Sequence, residues 1–263
     1  MHFRHLSFAL LFAALVLSAA RAETPSAPPK AAGKSVKMTP EREYLACMAL
    51  ARSRPQSGYD EALAWETLGG GAPARQCAAV ALMGLGRFHK AATELERAAK
   101  DGALAPDLRA ELLAQAAQAH IVAGQLRLAD ADQKAALVLV PDKPDIMVDR
   151  AVTLGRMHRY KEAAAVLTSV LRREPNRVEA LTLRASAYRH LGRLPPALAD
   201  IDRALALQPG FVDALLERGI IHHLMGDNAG ARADWTKIVK TAPKGLVRKQ
   251  AKHDLELLDA KKK

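Results

Sequence analysis

The nine histidines and two cysteines are the side chains with the most obvious capacity for metal or redox chemistry. The histidines follow no metal-binding motif: there is no His-Glu-x-x-His segment, and the adjacent His222 and His223 would point to different faces of a helix. Cys47 and Cys77 do not form a Cys-x-x-Cys pair, which argues against thiol–disulfide catalysis. The sequence therefore predicts no metal site, and it leaves the cysteines as either a structural disulfide or two buried thiols.

Signatures of enzymes and of bound cofactors are also missing from the sequence. There is no Gly-x-Ser-x-Gly elbow and no dinucleotide fingerprint, and Gly69-Gly70-Gly71 lacks the Lys-Ser/Thr that a phosphate-binding loop requires. We expect a protein that is not an enzyme and that uses no cofactor.

The net charge of +11 is concentrated at the ends of the chain. The residues before 39 carry +4 and those from 237 onward carry +6, which leaves +1 for the body. A groove for nucleic acid would place its charge in the body, so no specific nucleic acid is expected. The basic end still supports an alternative function, binding of acidic polymers or a membrane surface. It would use Lys237, Lys240, Lys244, Arg248, Lys249, Lys252 and Lys261–Lys263.

The N-terminal residues have the pattern of an export signal. Arg4 precedes an apolar run from Leu6 to Ala20, and Ala20-Arg21-Ala22 has the small-x-small form of a signal-peptidase site. The run is short for a membrane-spanning helix, although an uncleaved anchor stays open as the alternative. We expect residues 1–22 to be a signal peptide cleaved near Ala22 and 23–38 to be a flexible leader. The mature chain would then be periplasmic or secreted, with no transmembrane segment.

A 34-residue period organises the rest of the chain, and several columns of residues recur in phase. Prolines recur at 141, 175, 209 and 243, and alanines recur at 129, 163, 197 and 231. A column of small residues contains Ala117, Ala151, Ala185 and Gly219.

Each period predicts two amphipathic helices. In one copy, Asn176 is the expected N-cap of a helix that Gly192 ends, and Pro195 falls in the first turn of a second helix that ends near Leu207. In the earliest, degenerate copy, Ala62 is expected to open the second helix. One such hairpin cannot bury its apolar face alone, so neighbouring hairpins must stack.

These columns resemble the tetratricopeptide repeat (TPR), with its small residues, its alanine and its terminal proline at fixed spacing. The resemblance implies an all-α fold, a right-handed α-solenoid of about six helix pairs with a C-terminal capping helix. The predicted divisions are degenerate pairs in 39–109, four regular repeats (110–143, 144–177, 178–211 and 212–243) and a capping helix with a basic tail in 244–263.

The resemblance also implies that the first helices line a concave, protein-binding surface. An exported scaffold of cell-envelope assembly or secretion, with another protein or peptide in the groove, is the function we expect. The predicted contact residues are Gln118, Ile121, Val122, Val148, Val152, Arg156, Thr182, Ser186, Arg189, Leu216, Ile220 and His223. The carboxylate clamp of chaperone-binding relatives does not carry over, because its asparagine columns hold Gln118, Val152, Ser186 and Ile220 here.

Two charged columns recur with the repeat. Arg150, Arg184 and Arg218 form one of them, and Asp132, Asp200 and Asp234 form the other. A ladder of Arg–Asp pairs that links neighbouring repeats is the favoured interpretation, and an anion-binding ridge is the alternative.

Overall fold

The computed structural model describes residues 39–260. The predicted signal peptide and leader lie outside these residues, as do Lys261–Lys263. Thirteen helices and no strands are present in the described part of the chain. They are α1 (Pro40–Ser53), α2 (Pro55–Thr67), α3 (Gly71–Gly84), α4 (Phe88–Ala99), α5 (Pro106–Val122), α6 (Leu126–Leu139), α7 (Pro144–Arg156), α8 (Tyr160–Arg173), α9 (Val178–His190), α10 (Leu194–Leu207), α11 (Val212–Leu224), α12 (Asn228–Thr241) and α13 (Leu246–Ala260).

The helices form six successive hairpins followed by a single final helix. Each odd-numbered helix from α1 to α11 packs on the helix that follows it, and each hairpin packs on the next one. The predicted fold class, an all-helical solenoid of about six pairs with a capping helix, is confirmed.

The turns inside the second to sixth hairpins contain a left-handed backbone residue. Glycine supplies it in four of these turns, while His158 takes the same conformation, with φ of 60°, in the α7–α8 turn. The His158 Nδ1 lies 2.7 Å from the hydroxyl of Tyr160, the first residue of α8.

The two columns of small residues lie where the helices of a pair approach each other. The alanines of both columns are buried in all four regular repeats. Gly219 replaces alanine in the last repeat because the indole of Trp235 occupies the space: a Cβ on Gly219 would lie 2.3 Å from Nε1 of that ring. The equivalents of Trp235 in the other repeats are the smaller Gln133, Leu167 and Ile201.

The final helix closes the apolar end of the last hairpin. Val247, Ala251 and Leu258 of α13 are buried and belong to the same apolar cluster as Trp235 and Ile238 of α12. The opposite side of α13 carries exposed charges, as a capping helix requires.

Two local predictions were wrong. Asn176 does not cap α9: that helix begins at Val178, its N-cap Arg177 makes no side-chain capping bond, and the Asn176 side-chain oxygen instead accepts a hydrogen bond from Arg203. Ala62 does not open α2, which begins at Pro55, because a proline at the first helical position loses no hydrogen bond.

Within residues 39–260, no helix is both long enough and apolar enough to cross a bilayer.

Candidate functional site

The first helices of the regular repeats, α5, α7, α9 and α11, carry the twelve predicted contact residues. Ile121, Val148 and Thr182 are buried, with exposures of 3%, 2% and 7%. Their side chains therefore pack between helices and are not available to a partner in this structure. The prediction failed at these positions because it counted along single helices and did not include packing between helices. Ile121, for example, packs with Leu126 and Ala129 of its own hairpin.

The other nine predicted residues keep part of their surface accessible. The column of Gln118, Val152, Ser186 and Ile220 is half-buried in every repeat, so it forms a continuous row across four hairpins. Val122, which is 50% exposed, lies beside this row. Arg156, Arg189, Leu216 and His223 are also half-buried.

Hydrogen bonds between successive first helices hold some of these side chains in place. Gln118 Nε2 of α5 donates to Asp149 Oδ2 of α7, at 3.3 Å. The Arg189 guanidinium of α9 donates to the carboxylate of Glu217 of α11. The first of these bonds links α5 to α7. The second links α9 to α11 and neutralises the charge of Arg189.

Arg156 differs from Arg189, because it has no ion pair among residues 39–260. It lies at the end of α7, where its positive charge also complements the helix dipole. His223 is less available, since its Nδ1 lies 2.8 Å from Asn228 Oδ1 and its ring lies against Trp235. Arg156 is therefore the free cation of the predicted surface within the described chain.

An apolar rim lies at the ends of the first helices, and of its four members only Val122 was among the predicted contact residues. We use this name for Val122, Leu191, Leu224 and Met225, whose exposures range from 39% to 54%. They fall in two adjacent columns of the 34-residue period, so the signal was present in the sequence. Leu191, Leu224 and Met225 were overlooked because they lie at or just beyond the last residue of their helices.

The predicted Arg–Asp pairs form in the last two regular repeats, but each pair joins the two helices of one repeat and not two neighbouring repeats. Arg184 pairs with Asp200 through two nitrogens at 2.8 Å each, and Arg218 pairs with Asp234 at 2.8 and 2.7 Å. Each arginine also reaches the second helix of the preceding hairpin: Arg184 bonds Thr168 at 3.2 Å and Arg218 bonds Asp202 at 3.1 Å. Each guanidinium thus joins three helices.

The ladder prediction was wrong for the earlier members. Arg150 has valine, Val166, at the Asp position of its own repeat, and it bonds Asp130 of the preceding hairpin at 2.8 Å. Asp132 has no arginine, because the matching position of its repeat is Ala116.

A buried polar cluster forms around this unmatched aspartate. His120 Nε2 lies 2.9 Å from Glu96 Oε1 and 3.6 Å from Asp132 Oδ2, and the three residues come from α5, α4 and α6. His120 is 1% exposed and Asp132 is 8% exposed. Burial, followed by the negative charge of Glu96, raises the pKa of Asp132 to about 7, although His120 opposes the shift. No sequence motif links these residues, but an aspartate column that lacks its arginine was a visible signal.

The two cysteines lie on the first helices of the first two hairpins. Cys47 of α1 and Cys77 of α3 are joined by a disulfide, with Cα atoms 6.1 Å apart. Both residues are buried against Ala51, Ala74 and Ala78.

Helical hairpins stacked through small-residue columns, with polar links between the first helices, define an α-solenoid of the protein-binding class. The tetratricopeptide repeat model matches residues 148–210 and 197–245. Residues 148–245 of the chain therefore carry tetratricopeptide repeats, and proteins of this family mediate protein–protein interactions and are generally not enzymes.

Known proteins are similar to parts of this chain. The U-box domain-containing protein 70 of Oryza sativa is 32% identical over 98 residues, which cover 37% of this chain and 12% of that protein. The Hsp70-Hsp90 organizing protein 3 of Arabidopsis thaliana is 31% identical over 86 residues, which cover 33% of this chain and 15% of that protein. The chain thus spans less than a fifth of either relative.

Solved structures support the fold. MamA of Desulfovibrio magneticus RS-1 superposes with a TM-score of 0.57 at 21% identity, over 64% of this chain and 93% of that one. YrrB, described as a TPR protein with an unusual peptide-binding site, has a TM-score of 0.55 at 19% identity, over 72% of this chain and 96% of that one.

Proposed function

We propose that this protein is a non-enzymatic scaffold whose first-helix surface binds an extended segment of another protein. The observation that carries the proposal is the half-buried row of Gln118, Val152, Ser186 and Ile220, which continues across four hairpins. The row alternates donors with apolar side chains, and that mixture suits a peptide with both backbone polar groups and apolar side chains.

The surroundings of the row indicate the chemistry of the bound segment. The apolar rim offers contacts for Leu- or Phe-like side chains along one edge. Arg156 offers a positive charge that no described carboxylate neutralises. We therefore expect a segment with spaced apolar residues and one carboxylate that pairs with Arg156.

Site-specific photo-crosslinking tests this surface. A photoreactive residue at Ser186 should capture a defined partner in the native host, whereas the same residue at Ala206, exposed on the second helix α10, should not. A partner captured equally at both positions would show that the first-helix surface is not the specific binding site.

The purified partner segment then tests Arg156. Arg156→Ala should weaken binding about tenfold, the size of a charge-assisted hydrogen bond. Arg172→Ala is the matched control, since Arg172 is exposed on α8 and bonds only Ser169 among the described residues. Equal affinity of both variants would show that Arg156 does not contact the partner.

Export to the periplasm, with a role in envelope assembly or secretion, is a further part of the proposal. The apolar run before Ala22 supports it, and a Cys47–Cys77 disulfide is the type of bond that an oxidising compartment permits. Cell fractionation with mass spectrometry of the N-terminus tests it. A cytoplasmic chain that retains residues 1–22 would contradict it.

The alternative function is binding of acidic polymers by the basic end. Point substitutions test it more specifically than a deletion of α13 would. Removing α13 would uncover the last hairpin, because Val247, Ala251 and Leu258 are buried. Lys249→Gln with Lys252→Gln keeps the helix and removes two exposed charges. If partner binding is lost in this variant and in moderate salt, the basic end, and not the first-helix surface, is the binding element.

A further inference from the structure

The buried cluster of Glu96, His120 and Asp132 has the composition of a metal site. One imidazole nitrogen and two carboxylate oxygens, one from each residue, all lie within 4.8 Å of one another. The three residues come from consecutive helices of two hairpins, so the site would link those hairpins.

The hydrogen bond on the other side of the imidazole orients it toward the carboxylates. His120 Nδ1 lies 2.9 Å from Gln125 Oε1, an oxygen that also faces Nδ1 of His89 at 3.2 Å. Since a side-chain carbonyl oxygen only accepts, His120 Nδ1 carries the proton in this arrangement. Whenever the ring is neutral, Nε2 then carries a lone pair that faces the carboxyl oxygens of Glu96 and Asp132.

When both carboxyl groups are ionised and the imidazole is neutral, the two oxygens and Nε2 are all acceptors and cannot hydrogen-bond to one another. Asp132 is 92% removed from solvent, and its buried Oδ2 has no hydrogen-bond partner among residues 39–260. A cation at the centre of the three atoms would satisfy all of them at once.

The distances suit a small divalent ion. Ligands about 2.1 Å from a metal lie about 3.0–3.4 Å from each other in octahedral or tetrahedral geometry. The observed separations from His120 Nε2, 2.9 Å to Glu96 and 3.6 Å to Asp132, bracket that range.

We propose that Glu96, His120 and Asp132 bind a first-row divalent transition-metal ion, with Zn²⁺ as the reference ion. An imidazole with two carboxylates favours such ions over Ca²⁺ or Mg²⁺, which prefer an all-oxygen shell. The bound ion joins α4, α5 and α6 and so stabilises the contact between the second and third hairpins. Glu96, whose side chain is 34% exposed, lies on the solvent side and provides the route of entry.

Titration of the full mature chain with Zn²⁺ against a competing chelator tests the site, and Co²⁺ absorption reports its coordination. Wild-type protein should bind one ion, and Glu96→Gln and His120→Gln should each weaken binding by more than about tenfold. The matched control is His222→Gln, because His222 occupies the same column as His120 but lies 2.9 Å from the carboxylate of Asp227 instead. This control should leave affinity unchanged.

Glu96→Gln changes the part-exposed member of the cluster, so circular dichroism should show that it folds normally. No binding of Zn²⁺ or Co²⁺ at 100-fold excess to the wild-type chain would overturn the proposal. Equal affinity in Glu96→Gln, His120→Gln and His222→Gln would also overturn it, since the ion would then lie on other histidines.

Discussion

The first and the last of the four regular repeats have carboxylates at equivalent positions, but these carboxylates pair with different side chains. In the last repeat, Asp234 and the preceding hairpin's Asp202 are both bonded by Arg218. In the first, Asp132 occupies the position of Asp234, and Glu96, the ninth residue of α4, occupies the position that Asp202 has in α10.

The cation is what differs between the two repeats. The position of Arg218 holds Ala116 in the first repeat, and the imidazole of His120 comes to lie between the two carboxylates instead. In the last repeat the matching His222 stays with Asp227 of its own turn. The same repeating backbone can therefore hold either an arginine–carboxylate ion pair or a buried histidine–carboxylate cluster, and the two differ at the positions of Ala116 and His120.

Loss of the arginine in the last repeat should have the largest effect. Arg218→Ala leaves the buried Asp234 without a counter-charge, and we expect a loss of about 3 kcal/mol in the free energy of unfolding by urea. Asp202→Asn is the control, because Asp202 is 55% exposed, and it should cost below about 1 kcal/mol. Similar losses of unfolding free energy in the two variants would show that the burial of Asp234 does not determine how much its pair with Arg218 stabilises the fold.

The small-residue column should distinguish the last regular repeat from the second one. Gly219→Ala would push a Cβ into the ring of Trp235, at a cost of about 2 kcal/mol in unfolding free energy. Combined with Trp235→Leu, the residue pair becomes that of Ala151 and Leu167, and the cost of the alanine should disappear. A double-mutant cycle with no coupling would contradict this explanation of Gly219.

The stability of the metal-free protein should depend on pH through Asp132. Its pKa is raised in the folded chain, so between pH 4 and 7 the folded state holds a proton that the unfolded state has lost. The free energy of unfolding therefore falls as pH rises, by up to about 1.4 kcal/mol per pH unit. Urea unfolding in EDTA should show this slope in the wild type relative to Asp132→Asn, and parallel curves would disprove it.

Converting the first repeat into the later type should have the smallest effect. Ala116→Arg with His120→Tyr copies Arg184 and Tyr188 and supplies a cation to Glu96 and Asp132. We expect about 1 kcal/mol of added stability at pH 8 and loss of Zn²⁺ binding. A variant that is less stable than the wild type would show that α5 has no room for the guanidinium.

The periodic features of the molecule could be predicted from the sequence, and the contacts between repeats could not. The 34-residue spacing alone located the columns of small residues and the turn at Gly192, because these features depend on contacts within one hairpin. The burial of Val148 and Thr182 depends on packing between helices, which counting along a single helix omits. The cluster around His120 depends on three helices and on the absence of an arginine, so it required coordinates.

The disulfide between α1 and α3 has a consequence for the length of the array. Terminal hairpins of a solenoid contact a neighbour on one side only, so they fray first. A cross-link between residues 30 positions apart stabilises the end by about 3–4 kcal/mol in the chain-entropy model, so the first hairpin should open only together with the second. Under reducing conditions the first hairpin would detach on its own and uncover α3, so the same chain would behave as a six-hairpin array when oxidised and a five-hairpin array when reduced.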